Sequence, residues 1–188
     1  MSFSLNIPII LTLIRLILSP LILPLFLVYF LPYNYLWLNI LLALLFVAFS
    51  ITDFLDGYIA RKYKMETKFG KALDPIADKF LISSTLISLL AIKKIYFLWV
   101  IILIGREFFM MGLRQIALEN NFSIEVSIYG KIKTTFQIIM LTIIILNPFH
   151  DIKTFNFFNI AEIFLIFCTI FLSLFSALQY YLSFRKII

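Results

Sequence analysis

Long apolar runs broken by short polar clusters dominate this chain, and the runs are too long for the strands of a water-soluble domain. From Ile7 to Leu31 only Arg15 is charged, which is enough to span a bilayer as a helix. Pro20 and Pro24 fall inside this run and should kink it, as neighbouring helices in a bundle can tolerate. Ahead of the purely apolar part, Asn6, Pro8, Thr12 and Arg15 fit a short helix lying in the interface, with Arg15 either snorkelling to headgroups or binding a ligand. Leu31 to Tyr35 reads as an uncharged turn, with Tyr33, Tyr35 and Trp37 as interfacial anchors.

A second span is predicted from about Leu36 to Thr52, running directly into Asp53. After a basic loop, a third helix is expected to start near Pro75 and to end before Lys93-Lys94. Its uncharged stretch, Phe80 to Ile92, is so short that Asp78 and Lys79 must lie at membrane depth facing a watery cavity. A fourth helix begins at Ile95 and carries Arg106, Glu107 and Arg114 before Asn120 and Asn121 break it. The fifth runs from about Lys131 to Asn147, and Pro148 to Lys153 forms a polar turn. The sixth, from about Phe155 to Phe184, contains Glu162 and leads into Arg185 and Lys186. The pattern therefore predicts an all-α integral membrane protein of six transmembrane helices, one domain over residues 1–188, with no internal repeat.

Composition agrees with this picture. The chain has 188 residues, is 63% hydrophobic and has a mean hydropathy of +1.05, which makes the bilayer its solvent. No Lys or Arg precedes Arg15, so the basic start of a secretory signal is missing and the first run is expected to remain in the mature protein. The lone Cys168 has no partner for an intrachain disulfide. Cations gather at helix ends rather than along one solvated element, which argues against nucleic-acid binding.

The placement of the cations orients the chain. One side of the predicted topology holds Arg61, Lys62, Lys64, Lys68, Lys71, Lys79, Arg106, Arg114, Lys131, Lys133, Arg185 and Lys186, and the other holds Lys93, Lys94 and Lys153. The richer side is expected to be cytoplasmic.

The stretch from Asp53 to Asp78 carries the chemistry. Asp53 and Asp56 are three apart, and Asp74 and Asp78 four apart. On helices, each pair shares one face. Two acidic faces brought together form an all-oxygen pocket for hard divalent cations such as Mg²⁺. A solvated loop of screened ion pairs, or an Asp74 N-cap ahead of Pro75, accounts for any one of these carboxylates but not for four at helical spacing.

The ordered residues Asp53, Asp56, Gly57, Ala60, Arg61, Gly70, Asp74 and Asp78 resemble the signature of the CDP-alcohol phosphatidyltransferase family, D-x2-D-G-x2-A-R-x8-G-x3-D-x3-D, at every fixed position and gap. The resemblance implies that family's helical bundle and transfer of a phosphatidyl group from CDP-diacylglycerol to an alcohol with release of CMP. It implies that Asp53, Asp56, Asp74 and Asp78 are ligands to Mg²⁺ or Mn²⁺, as two ions, with Asp78 also the general base. It further implies that Asp56, Gly57, Ala60, Arg61 and Gly70 line the CDP site, and that the enzyme is a homodimer.

Two further segments bear on the acceptor. NIPIILTLIR at the start, and GREFFMMGLRQIALE followed by YGKIKTTFQ, resemble the phosphatidylglycerophosphate synthases of the same family. Ile9 departs from that pattern, which usually has Asn there. Their acceptor, sn-glycerol 3-phosphate, is a dianion and needs cations, for which Arg106, Arg114, Lys131 and Lys133 are the candidates, with Arg114 and Lys133 preferred. The positive-inside bias alone also explains each of these four. Alternatives are a family member that uses serine, inositol phosphate or phosphatidylglycerol, a divalent-cation transporter, or a non-catalytic scaffold.

Overall fold

The computed structural model describes residues 20–62, 68–119, 128–148 and 157–185, with the side chains of residues 53–78 and 118–119 excepted. The amino-terminal segment with Arg15, the loop residues 63–67, the Asn120-Asn121 break, most of the Pro148–Lys153 turn and Lys186 lie outside the described residues. The described chain is all-α: α1 over residues 20–30, α2 Leu36–Lys62, α3 Lys68–Ala91, α4 Phe97–Glu119, α5 Ile128–Leu146 and α6 Phe157–Arg185. Its contacts form two compact units, residues 1–94 and 95–188.

In the first unit, α1 passes into a single 3₁₀ turn, Leu31–Tyr33, closed by Asn34 in the left-handed region (φ 55°), whose N–H donates to the Leu31 carbonyl at 3.1 Å. Leu23, Leu27 and Leu31, spaced by four, present one fully buried face. Leu42, Ala43 and Phe46 of α2 and Leu81, Leu86 and Leu89 of α3 are buried as well, and these two helices are in contact. Tyr33, Tyr35 and Trp37 are exposed, as interfacial anchors must be.

The second helix runs on from the predicted span through Asp53 and Asp56 to Lys62, in keeping with their shared helical face. The third begins at Lys68 rather than near Pro75, so Asp74 and Pro75 lie inside it and Asp74 is no N-cap. The reason is legible in hindsight: Phe69, Ala72, Leu73, Ile76, Ala77 and Phe80 recur at helical spacing, and this outweighs the one backbone hydrogen bond that Pro75 removes. With 24 residues, α3 is no longer a short element. It ends where Lys93 takes a positive φ (61°) and the N–H groups of Lys93 and Lys94 donate to the Leu90 and Leu89 carbonyls at 2.9 and 2.8 Å.

In the second unit, α5 and α6 form an antiparallel pair whose register is fixed at both ends. Asn147 Nδ2, just past the end of α5, donates to Asn159 Oδ1 and Glu162 Oε2 at 2.8 and 2.9 Å. At the other end the Tyr129 and Phe175 rings meet edge to face at 5.2 Å. α4 runs parallel to α6, with Trp99 against Phe167 and with Met110 and Leu113 packed on Ala177 and Tyr180. α5 and α6 are each long and apolar enough to cross a membrane.

The distribution of polarity in this unit is the reverse of a soluble protein's. Lys133, Gln137, Asn147, Glu162, Thr169, Ser173 and Ser176 are buried, while Phe164, Phe167, Phe171, Phe175 and Leu178 face outward. An apolar exterior around a core that includes polar groups is stable where hydrocarbon is the solvent. Asn147→Ala should therefore leave the buried Glu162 carboxylate short of a donor, at a cost of about 1–3 kcal/mol. Thermal unfolding in detergent should show a lowered midpoint, whereas Ser183→Ala on the exposed face of α6 should leave it nearly unchanged.

Candidate functional site

The helical backbone places the acidic signature on two consecutive elements. Asp53, Asp56, Gly57, Ala60 and Arg61 ride on the last turns of α2, and Gly70, Asp74 and Asp78 on the first three turns of α3. Residues 63–67 join these two helix ends, so both acidic pairs lie next to one connection. Each pair sits within a continuous helix, so Asp53 and Asp56 share a face, as do Asp74 and Asp78. The side chains of this set lie outside the described residues. Its donor chemistry, four carboxylates, suits a hard divalent ion.

The described side chains show a second polar centre, in the unit of residues 95–188. Arg106 spends its guanidinium on protein groups: Nε donates to the Ser173 carbonyl at 3.1 Å, one terminal nitrogen to Ser176 Oγ at 2.6 Å and the other to Glu107 Oε1 at 3.1 Å. The same Glu107 oxygen also receives Lys133 Nζ from α5. Three helices thus meet on one carboxylate and one guanidinium. Arg106 and Glu107 keep only small exposed fractions of their side chains, and Lys133 is 3% exposed.

The other two acceptor candidates stand apart from this knot. The Arg114 guanidinium lies over the Tyr180 ring, 5.9 Å from its centroid, a cation–π contact at the far end of the α4–α6 packing. Lys131 is exposed. Arg106 and Lys133 are brought together, therefore, and Glu107 is the group that the sequence reading omitted from the site. Its signal was present: Glu107 is an acid inside a hydrophobic helix, next to Arg106, and such a residue calls for a partner.

Between α4 and α6 runs a groove of about 1000 Å³ lined by Ile101, Gly105, Phe109, Phe171, Phe175 and Tyr181, among others. Arg106 is the one charged residue among its described lining, and the donors of Arg106 are turned onto α6 and Glu107. The groove is an apolar surface rather than a place for phosphate chemistry.

Helical acidic pairs flanking one connection, in a chain of apolar helices with buried cations, define a membrane-embedded transferase class, and the sequence comparisons agree. The chain belongs to the CDP-alcohol phosphatidyltransferase family, which it matches over residues 5–178. It is 41% identical over 146 residues, 78% of each chain, to a Rickettsia felis protein named CDP-diacylglycerol–glycerol-3-phosphate 3-phosphatidyltransferase. A Yersinia enterocolitica protein of the same name is 36% identical, covering 82% of this chain and 84% of its own. A third so named, from Bacillus subtilis, is 41% identical over 63% of this chain and 62% of its own.

Because three guanidinium nitrogens of Arg106 are used at once, Lys cannot replace it. Arg106→Lys should lower the unfolding midpoint in detergent through the loss of hydrogen bonds worth about 1–3 kcal/mol each. A midpoint equal to wild type would show that the brace between α4 and α6 contributes nothing.

Proposed function

We propose that the chain transfers the phosphatidyl group of CDP-diacylglycerol to sn-glycerol 3-phosphate, giving phosphatidylglycerophosphate and CMP. The observation that carries this reading is the complete eight-residue signature on the consecutive ends of α2 and α3. It is supported by the relatives that bear that enzyme name at 34–41% identity.

In this reading the acceptor hydroxyl oxygen attacks the lipid-bearing phosphorus, the bond to the CMP oxygen breaks, and Asp78 takes the hydroxyl proton. Gly57, Ala60 and Gly70 leave room for the nucleotide close to the backbone, and Asp56 and Arg61 meet its polar groups. Family members generally use divalent metal ions. Asp53, Asp56, Asp74 and Asp78 would hold them, as two ions of Mg²⁺ or Mn²⁺, and the bound cations would neutralise the diphosphate and the leaving CMP. Arg106, Arg114, Lys131 and Lys133 are the candidates for the acceptor's phosphate, with Arg106 and Lys133 both held on Glu107.

The same reading makes the chain a multi-pass protein of the bacterial inner membrane with six crossings. The acidic motif then opens to the cytoplasm, where cation-rich segments remain and where charged acceptor and nucleotide occur. The functional unit is a homodimer built from one domain per chain.

The test is CMP release in detergent from CDP-diacylglycerol with sn-glycerol 3-phosphate, serine, inositol phosphate or phosphatidylglycerol as acceptor, each with and without chelator. Chelator-sensitive release is expected with sn-glycerol 3-phosphate, and release no greater than with water would overturn the acceptor. Asp78→Asn should lose at least about 100-fold in turnover while still binding the CDP-lipid. A variant with a near-normal rate would remove Asp78 from the mechanism. Arg114→Ala should raise the KM for sn-glycerol 3-phosphate more than that for CDP-diacylglycerol, and equal changes would mark it as structural.

A further inference from the structure

The buried faces of α5 and α6 carry polar side chains that, among the described residues, no protein group meets. Gln137 of α5 and Thr169 and Ser173 of α6 are all fully buried. Neither the amide nitrogen nor the amide oxygen of Gln137 has a hydrogen-bond partner, and the hydroxyls of Thr169 and Ser173 have none either. A hydroxyl inside a helix ordinarily donates to the carbonyl three or four residues back, and Ser50, Thr85, Thr142 and Ser183 do so here. Thr169 and Ser173 forgo that bond, although it is open to any helical serine or threonine.

The register of the helix pair brings the three side chains to one level. Antiparallel α5 and α6 are pinned by Asn147 on Glu162 at one end and by Tyr129 against Phe175 at the other. Gln137 lies near the middle of the span from Tyr129 to Asn147, and Thr169 near the middle of that from Glu162 to Phe175. Ser173 is one turn further along α6, a rise of about 6 Å. Thr169 and Ser173 follow Glu162 by seven and eleven residues, spacings that return to the same side of a helix. They therefore point as Glu162 does, towards α5.

The chemistry of this layer selects its occupant. Gln137 offers both donors and an acceptor, and each hydroxyl can serve as either. None of the three side chains is charged, so the layer does not select an ion. The small neutral molecule that both donates and accepts is water, and a buried water makes about three bonds to groups otherwise unmet. Gln137, Thr169 and Ser173 supply four such atoms. No lipid chain can meet them, and in hydrocarbon surroundings an unmet polar group is costly. We propose that Gln137, Thr169 and Ser173 form a binding site for buried water, which bridges α5 to α6 near the middle of their pair.

The test is a double-mutant cycle with Gln137→Met and Thr169→Val, which remove polarity and nearly keep side-chain size, on the full chain in detergent. It is joined to an NMR measurement of magnetisation transfer from water to the Gln137 side-chain amide, assigned by its loss in Gln137→Met. A water bridge predicts that each single substitution lowers the unfolding midpoint by about 2–4 °C, because it strands the groups left behind. The double substitution then costs less than the sum of the two, since the bridge is already gone. Wild type should show transfer from long-lived water to Gln137 Nε2, and Thr169→Val should weaken it. A midpoint that rises on either substitution, or losses that simply add, would overturn the proposal, because polar groups without a guest are better replaced by apolar ones. A Gln137 amide with no contact to water would overturn it too, and would mean that the side chains meet one another directly. If Gln137→Met does not fold, Ser173→Ala with Thr169→Val carries the same cycle and leaves in place the Ser173 carbonyl that Arg106 uses.

Discussion

A charge or an unmet hydrogen-bonding group in hydrocarbon is costly, and the placement of nearly every polar side chain in this protein follows from that cost. In α4, α5 and α6 several inward polar residues bond one another: Arg106 with Ser173, Ser176 and Glu107; Glu107 with Lys133; Asn147 with Asn159 and Glu162. The outward faces are left to Phe, Leu and Ile. Packing alone does not hold such helices in register, because lipid is as apolar as their surfaces. The polar contacts do, at Asn147 on one end of the α5–α6 pair and at Arg106 toward the other.

The same cost sets the division of labour between the two polar centres. The acidic signature is confined to the ends of α2 and α3 beside residues 63–67. The cationic centre of α4, α5 and α6 is mostly buried, and Glu107 neutralises part of its charge. The chain thus carries its acidic signature and its cationic centre on separate helices.

Much of this was legible in the sequence. The apolar runs of the described helices and the turn at Lys93-Lys94 follow from hydropathy and from breaking residues. The acidic motif was legible too, because its fixed gaps are those of a helix. The start of α3 was not read correctly, since Pro75 was given more weight than the apolar period from Phe69 to Phe80 that runs through it. Nor could the sequence reveal that Arg106 would be spent on α6: Ser173 and Ser176 are about 70 residues away, and no local pattern encodes a contact at that separation. Glu107 was visible as an intramembrane acid, but the identity of its partner, 26 residues on, is a tertiary fact.

The central claim is that the two acidic pairs of α2 and α3 share a divalent ion, and Mn²⁺ binding followed by electron paramagnetic resonance on the detergent-solubilised protein tests it most directly. The account predicts saturable binding that is weakened alike by Asp53→Asn on α2 and by Asp74→Asn on α3, since each helix supplies ligands to the same ions. Mn²⁺ binding that survives loss of either aspartate unchanged would mean the pairs do not share an ion, and the account would fail with it.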